Sequence, residues 1–276
     1  MALEMPATQS QIVTWSLTAG DPPPVEVFNP TGRSNVIFLC DHGSNVIPQA
    51  LNGLGLSEHL QHRHIAWDIG ALEVARQLAS RCDAPMIKCG YSRLVIDPNR
   101  FPGDPQSIPR ISDGFEIPGN QNLGEAEIRY RSAAFFKPYH RAIDKRIRHL
   151  RERGLVPALV SIHSFTPALS CNTPRPWHIG VVWNRDPRIA KPLIAGLEHL
   201  PGVCVGDNKP YHANSPRGFT LSVHAEQPGY PHVLIEIRKD LVNHREGVNY
   251  WAGVLWEALE EIFADHTIYR IEHYKK

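Results

Sequence analysis

The chain of 276 residues lacks most of what would set it apart from an ordinary globular protein. Its five cysteines, Cys40, Cys82, Cys89, Cys171 and Cys204, are odd in number and nowhere spaced as CxxC. That pattern fits reduced thiols in a cytosol better than a secreted disulfide framework. No run approaches about 18 uninterrupted apolar residues, so no transmembrane helix is expected. Met1 to Pro24 has Glu4 early and no basic region leading into an apolar one, so no signal peptide is expected. Neither sign of charge dominates: 29 Lys and Arg against 28 Asp and Glu leave a net charge of +1. This removes any global electrostatic case for nucleic acid or an anionic membrane as partner.

Hydrophobic residues make up 42% of the chain and charged residues 21%, a balance that excludes wholesale disorder. Residues 1–34 are rich in Pro, Gly, Thr and Ser and read as a tail with at most one short extended segment. Beyond it, strand-like and helix-like stretches alternate. Asn35 to Cys40, Met86 to Cys89, Arg93 to Ile96, Pro157 to Ile162, Ile179 to Trp183, Val203 to Val205 and Val233 to Ile237 read as strands. Asp68 to Ser80, Asp186 to Leu200 and Glu246 to Phe263 carry helical periodicity, as does Glu125 to Arg153, which Pro138 should kink or split. That last helix holds nine Lys and Arg against four Asp and Glu, read as a solvated face. Phe101 to Gln121 is long and dense in Pro, Gly and Asp, which suggests a functional flap. Alternation of this kind predicts a single α/β domain over residues 35–276, with a mostly parallel sheet covered on both faces. Ligands of such sheets sit beyond the carboxyl ends of the strands.

Three apolar strands run into residues that a core would not choose. NVIFLC leads to Asp41-His42-Gly43-Ser44-Asn45, PALVSI leads to His163-Ser164, and VLIEI holds Glu236 ahead of Arg238. Two imidazoles and a carboxylate at neighbouring strand ends match a hydrolytic zinc site, where three His, Asp or Glu ligands leave one position for water. Asp68 either caps the following helix or supplies the third ligand, with Asn45 and Asp41 as the competitors. A second cluster, Tyr91 to Arg100, places Arg93 and Arg100 around a strand with Asn99 at its exit. Arginine forks match carboxylates bidentately, and Asp97 is the obvious alternative partner for Arg93. Ser92 sits in GYSRL, without the final glycine of a nucleophile elbow.

The segments CDHGSNVIP, AWDIGALEVA, YSRLVIDPNR, KPYH, SIHSFTP, DNKPY and HVLIEIRKDLV occur in that order over about 200 residues. In these pieces the chain resembles the N-formylglutamate amidohydrolase family, in its broad bacterial branch. The resemblance implies a three-layer, phosphorylase/hydrolase-like α/β sandwich related to the zinc carboxypeptidases, holding one Zn2+ or another divalent metal ion. It implies His42 and His163 as ligands, with Asp68 placed ahead of Asn45 and Asp41 for the third position. Glu236 would be the general base and Arg93 would polarise the scissile carbonyl. Asn99 and Arg100 would hold the substrate carboxylate, with Asn45, Ser164, Thr220 and His224 lining the pocket. The implied substrate is a small N-formyl or N-acyl amino acid. The remaining alternatives are a zinc deacylase or peptidase on another carboxylate-bearing amide, and a non-catalytic protein that binds an anionic metabolite.

Overall fold

The computed structural model describes residue 13 and residues 15–169, 174–213 and 218–274. Cys171, and residues 1–12 and 14 of the expected tail, lie outside the described residues. The first half of the chain forms β1 (Val25–Phe28), β2 (Val36–Cys40), α1 (Glu58–Gln61), α2 (Ala71–Arg81), β3 (Met86–Cys89), β4 (Ile111–Ser112), β5 (Phe115–Glu116), α3 (Glu125–Arg131) and α4 (Lys137–Glu152). The second half supplies β6 (Ala158–Phe165), β7 (Ile179–Val182), α5 (Pro187–Glu198), β8 (Val205–Asp207), β9 (His232–Arg238) and α6 (Arg245–Ala264). Seven strands join in one sheet in the order β1-β3-β2-β6-β9-β7-β8. The central four run parallel, and β1 and β7 are antiparallel to β3 and β9.

Alternation along the strands splits their side chains between two helical layers. Val36, Phe38, Val160, Ile162, Val233 and Ile235 pack with Leu78 of α2, Leu193 of α5 and Leu255 of α6. On the opposite face Ile37, Leu39, Ile87 and Leu159 meet Tyr139, Ile143 and Leu150 of α4. Both faces are buried, which is why these strands read as unbroken apolar runs instead of alternating ones. The result is the expected three-layer α/β sandwich. The short extended segment expected within residues 1–34 is β1, paired along the outer edge of β3.

Four local expectations are corrected. Arg93 to Ile96 is a buried turn: Ser92 accepts from Val95 N through its carbonyl and from Leu94 N through its hydroxyl, which satisfies those donors without a ladder. Its Leu94, Val95 and Ile96 fill a separate core with Tyr91, Ile117, Phe135 and Phe136. The strand expected at Val203 begins only at Val205, because the Cys204 backbone bonds to His178. Pro138 does split the long helix, but the break falls before it, as a π-helical turn over Ser132–Phe136 that absorbs the missing donor. The Phe101–Gln121 stretch is no flap. It folds into the β4–β5 hairpin and a 3-10 turn, and none of its residues lines the cavity described below.

Arg131 holds that stretch in place. Its side chain is 1% exposed, paired with Glu127 at 2.8 Å, and donates to Asn120 Oδ1 at 2.7 Å, Val95 O at 3.1 Å and Gly119 O at 3.3 Å. Arg131→Ala removes that donor from these acceptors and leaves Glu127 with Trp15 Nε1 alone. A loss of about 3 kcal/mol or more is expected, read as a lower urea midpoint at unchanged m.

Candidate active site

The parallel register of β6 and β9 sets His163 directly against Glu236. Both residues lie inside their strands, not past the ends, because the ladder continues to Phe165 opposite Arg238. On the other side of β6, the register that pairs Leu39 with Ser161 carries Asp41 alongside His163. His42 follows, and its carbonyl accepts from Asp68 N at 2.9 Å. Asp68 does not cap α2. That place belongs to Gly70, whose φ of +78° makes a left-handed turn and whose Cβ, were there one, would stand 2.1 Å from Val242 O. The turn leaves the Asp68 carboxylate directed at the two histidines.

His42 Nδ1 stands 3.2 Å and His163 Nδ1 2.8 Å from Asp68 Oδ2. Ligand atoms of these three residues all lie within 4.8 Å of one another. Each imidazole uses its other nitrogen to donate to a further buried carboxylate: His42 Nε2 to Asp97 at 2.7 Å, His163 Nε2 to Asp41 at 3.0 Å. At these distances each Nδ1 hydrogen-bonds to the Asp68 carboxylate; on a bound metal Nε2 would keep the proton and both Nδ1 lone pairs would face the ion beside Asp68. This is the arrangement found round metal-ligating histidines, where an outer carboxylate fixes tautomer and ring orientation.

The charges make the same case. Asp41, Asp68 and Asp97 are all buried. Burial opposes their ionisation, yet the neighbouring imidazoles, and Arg93 beside Asp97, hold all three well below the usual carboxylate range. Arg93 pairs with Asp97 at 2.8 Å and approaches Asp68 at 3.6 Å. The same carboxylates raise both imidazoles, His163 well above the usual histidine range, so in the absence of a metal their protons and Arg93 balance the three negative charges; imidazoles neutral enough to ligate a metal would leave two negative charges to be met. A divalent cation brings the missing charge, so the residues fit one. Glu236 stands beside this centre with Oε2 buried and without a hydrogen-bond partner, and burial lifts its carboxyl to about 7.

A cavity of about 150 Å³ opens over the centre. His42, Asp68, His163, Glu236, Arg93, Asn99, Arg100 and Ser164 all line it. Ser164 is already engaged, donating through Oγ to Ile69 O at 2.8 Å. Three expectations fail. Asn45 turns away to Gln61 O and His62, outside the cavity wall. Thr220 lies behind the wall, with Oγ1 donating to Asp41 Oδ1 at 2.7 Å. His224 is likewise behind it, bonded to His140 and Asp144. Asp41, one of the competitors for the third ligand position, is surrounded by donors from Tyr139, Ser161, Thr220 and His163 and faces none of its oxygens to Asp68.

Sequence reasoning missed Asp97 as the holder of His42, having weighed it only as the partner of Arg93. It also gave no role to Tyr211, which lines the cavity and whose hydroxyl accepts from Arg175 at 3.0 Å. A carboxylate directly before a strand-end histidine, and another four residues after Arg93, were the available signals.

Fold and centre together define a three-layer α/β protein built round a His–Asp–His candidate metal centre with an unpaired carboxylate beside it. Residues 34–243 match the model of the N-formylglutamate amidohydrolase family, and the chain belongs to that family. Membership makes it an enzyme of the amidohydrolase class acting on a small molecule. The crystal structure of the gene product Atu2144 from Agrobacterium tumefaciens is similar, at 35% identity and a TM-score of 0.84, covering 89% of this chain and 98% of that one. N-formylglutamate amidohydrolase from Ralstonia eutropha JMP134 shares the fold at 16% identity and a TM-score of 0.61, covering 88% of this chain and 98% of that one. No curated protein matches the chain. Among the described residues, no helix is long and apolar enough to cross a membrane.

Proposed function

We propose that this protein hydrolyses the amide bond of an N-formyl or N-acyl amino acid of the N-formylglutamate type, releasing the amino acid and a carboxylate, with a divalent metal ion held by His42, Asp68 and His163. The observation that carries the reading is the convergence of two Nδ1 atoms on the Asp68 carboxylate, next to the unpartnered Glu236 Oε2. Two histidines and a carboxylate suit zinc. A zinc ion bound there supplies Lewis acidity and makes water a nucleophile at neutral pH.

The chain's own residues do the rest. Glu236, raised to about 7, takes the proton of the attacking water and hands it to the leaving amine. Arg93, fixed by Asp97 and Asp68, presents its guanidinium to the cavity and stabilises the developing oxyanion. Asn99 Oδ1 accepts from Thr220 N at 3.0 Å, which turns its Nδ2 outward as a donor. Together with Arg100 it holds the substrate carboxylate and brings the amide into register.

A panel of N-formyl, N-acetyl and N-succinyl amino acids tests the reading, run with and without chelator. Hydrolysis of at least one member, lost on chelation and restored by zinc, is the expected result. Full activity in metal-free protein, or no hydrolysis across the panel, refutes it. Arg100→Ala is expected to raise KM about 10- to 100-fold for a free carboxylate substrate and to leave its carboxamide analogue unchanged.

A further inference from the structure

Behind the cavity wall, outside its lining, three ionisable side chains form a hydrogen-bonded chain that the reaction leaves unused. His140 Nε2 meets the Pro98 carbonyl oxygen at 3.0 Å. His140 Nδ1 meets His224 Nε2 at 2.9 Å, and His224 Nδ1 meets Asp144 Oδ1 at 2.9 Å. The two rings lie 18° from parallel and are buried among Phe136, Tyr139 and Phe219, whereas the Asp144 side chain is 54% exposed.

The protons can be counted. Both ends of the chain are acceptors only, one a carbonyl oxygen and the other a carboxylate. Each end therefore needs an N–H from the ring facing it, and the contact between the rings needs one more. Three protons on two imidazoles give the pair a single positive charge. Burial, then its imidazole neighbour, pushes His140 down to about 4, and the third proton is counted for the pair and not for either ring alone. Asp144 is held below the usual carboxylate range chiefly by its bond to His224 and stays an acceptor. The other charged groups facing the pair are Arg148 from α4 and Asp41 from the end of β2.

We propose that His224, acting through His140, is a positioning residue for the substrate-anchoring turn Asp97–Arg100, and that its hold depends on the third shared proton. The proposal rests on the reading that Asn99 and Arg100 hold the substrate carboxylate. When that proton leaves, two acceptors face each other at one of the three contacts, and the chain between Asp144 and Pro98 opens. The turn keeps its internal bonds, Asn99 N to Asp97 Oδ1 at 2.8 Å and Arg100 N to Asp97 O at 3.2 Å. It also keeps the bonds that Asn99 accepts from Phe219 N and Thr220 N, and loses only the tie that runs from the Pro98 carbonyl through His140 of α4 to His224.

Asp144→Asn separates this role from a merely structural one. A carboxamide both donates and accepts, so it completes the chain with two protons, and nothing is left to titrate. In metal-loaded wild type, KM for an N-formyl amino acid should rise about 3- to 10-fold as the pair loses its third proton, with kcat unchanged. In Asp144→Asn, KM should stay flat over the same pH range. His224→Ala should show the raised KM at every pH. Nitrogen-15 shifts of the two rings should count three N–H groups below the step and two above it. The latch is overturned if Asp144→Asn keeps the wild-type step in KM, if the step appears in kcat alone, or if three N–H groups are never seen. Should no panel substrate turn over, the proposed reaction fails by itself, and the ring shifts still decide the latch.

Discussion

Glu236→Gln is expected to lower kcat/KM for an N-formyl amino acid by about 1,000-fold while metal content stays at its wild-type level. The magnitude is that of a positioned general base, which contributes roughly 100- to 10,000-fold. The substitution is nearly isosteric, and Oε2 makes no hydrogen bond that folding would miss. Glutamine takes no proton from water, so the loss falls on kcat, not on KM. The pH profile carries a second signature. Burial raises the Glu236 carboxyl to about 7, and a base must be ionised to act, so activity falls as pH drops through its titration. A bound cation favours the carboxylate and moves that acid limb below 7. The limb should disappear in the glutamine variant. Equal rates for wild type and variant, measured at matched zinc content, would remove Glu236 from the mechanism.

Removal of the metal is expected to abolish hydrolysis and to lower Tm, with both effects reversed by zinc. The buried carboxylates of Asp41, Asp68 and Asp97 then have only Arg93, which pairs with Asp68 and Asp97, and the protons of the imidazoles as balancing positive charge. Zinc at 1,000 times its dissociation constant should stabilise the folded protein by about 4 kcal/mol. Two variants separate the ligands from the groups that orient them. His163→Ala removes a donor at the centre, and excess zinc should not rescue it. Asp41→Asn leaves every candidate ligand in place while changing the carboxylate that holds His163 Nε2 along with Tyr139, Ser161 and Thr220, and should weaken zinc binding about 10- to 100-fold, with activity recovered at high zinc. Chelator-treated protein that keeps its rate, or an identical response of the two variants to added zinc, contradicts this assignment.

The site was partly legible because some residues announce themselves by being wrong for their surroundings. His163 and Glu236 each interrupt an apolar strand and His42 follows one just past its end, and such residues near the carboxyl ends of apolar runs point to one edge of a parallel sheet. Arg93, Asn99 and Arg100 were legible as a group that shares one cavity even though the stretch between the arginines is a turn and not a strand, because closeness along the chain does not depend on that difference. Asn45, Thr220 and His224 misled for a common reason. Sequence tells which residues are near one another along the chain, but a rotation of about 100° per residue in a helix, or one turn in a loop, decides which way a side chain faces. Thr220 therefore serves Asp41 from behind, and His224 faces α4.

By itself the sequence determined the layered α/β architecture, through apolar strands alternating with amphipathic helices. It also determined which residue types are available at the carboxyl ends of those strands. Only the tertiary structure decided that Asp68 lies within hydrogen-bond distance of both histidines, that Asp97 and Asp41 meet their other ring nitrogens, and that His224 meets His140. Those assignments depend on side chains far apart in the chain coming within about 3 Å of each other. Hydrogen bonds and buried charges act over such distances, and periodicity along a chain carries no information about them.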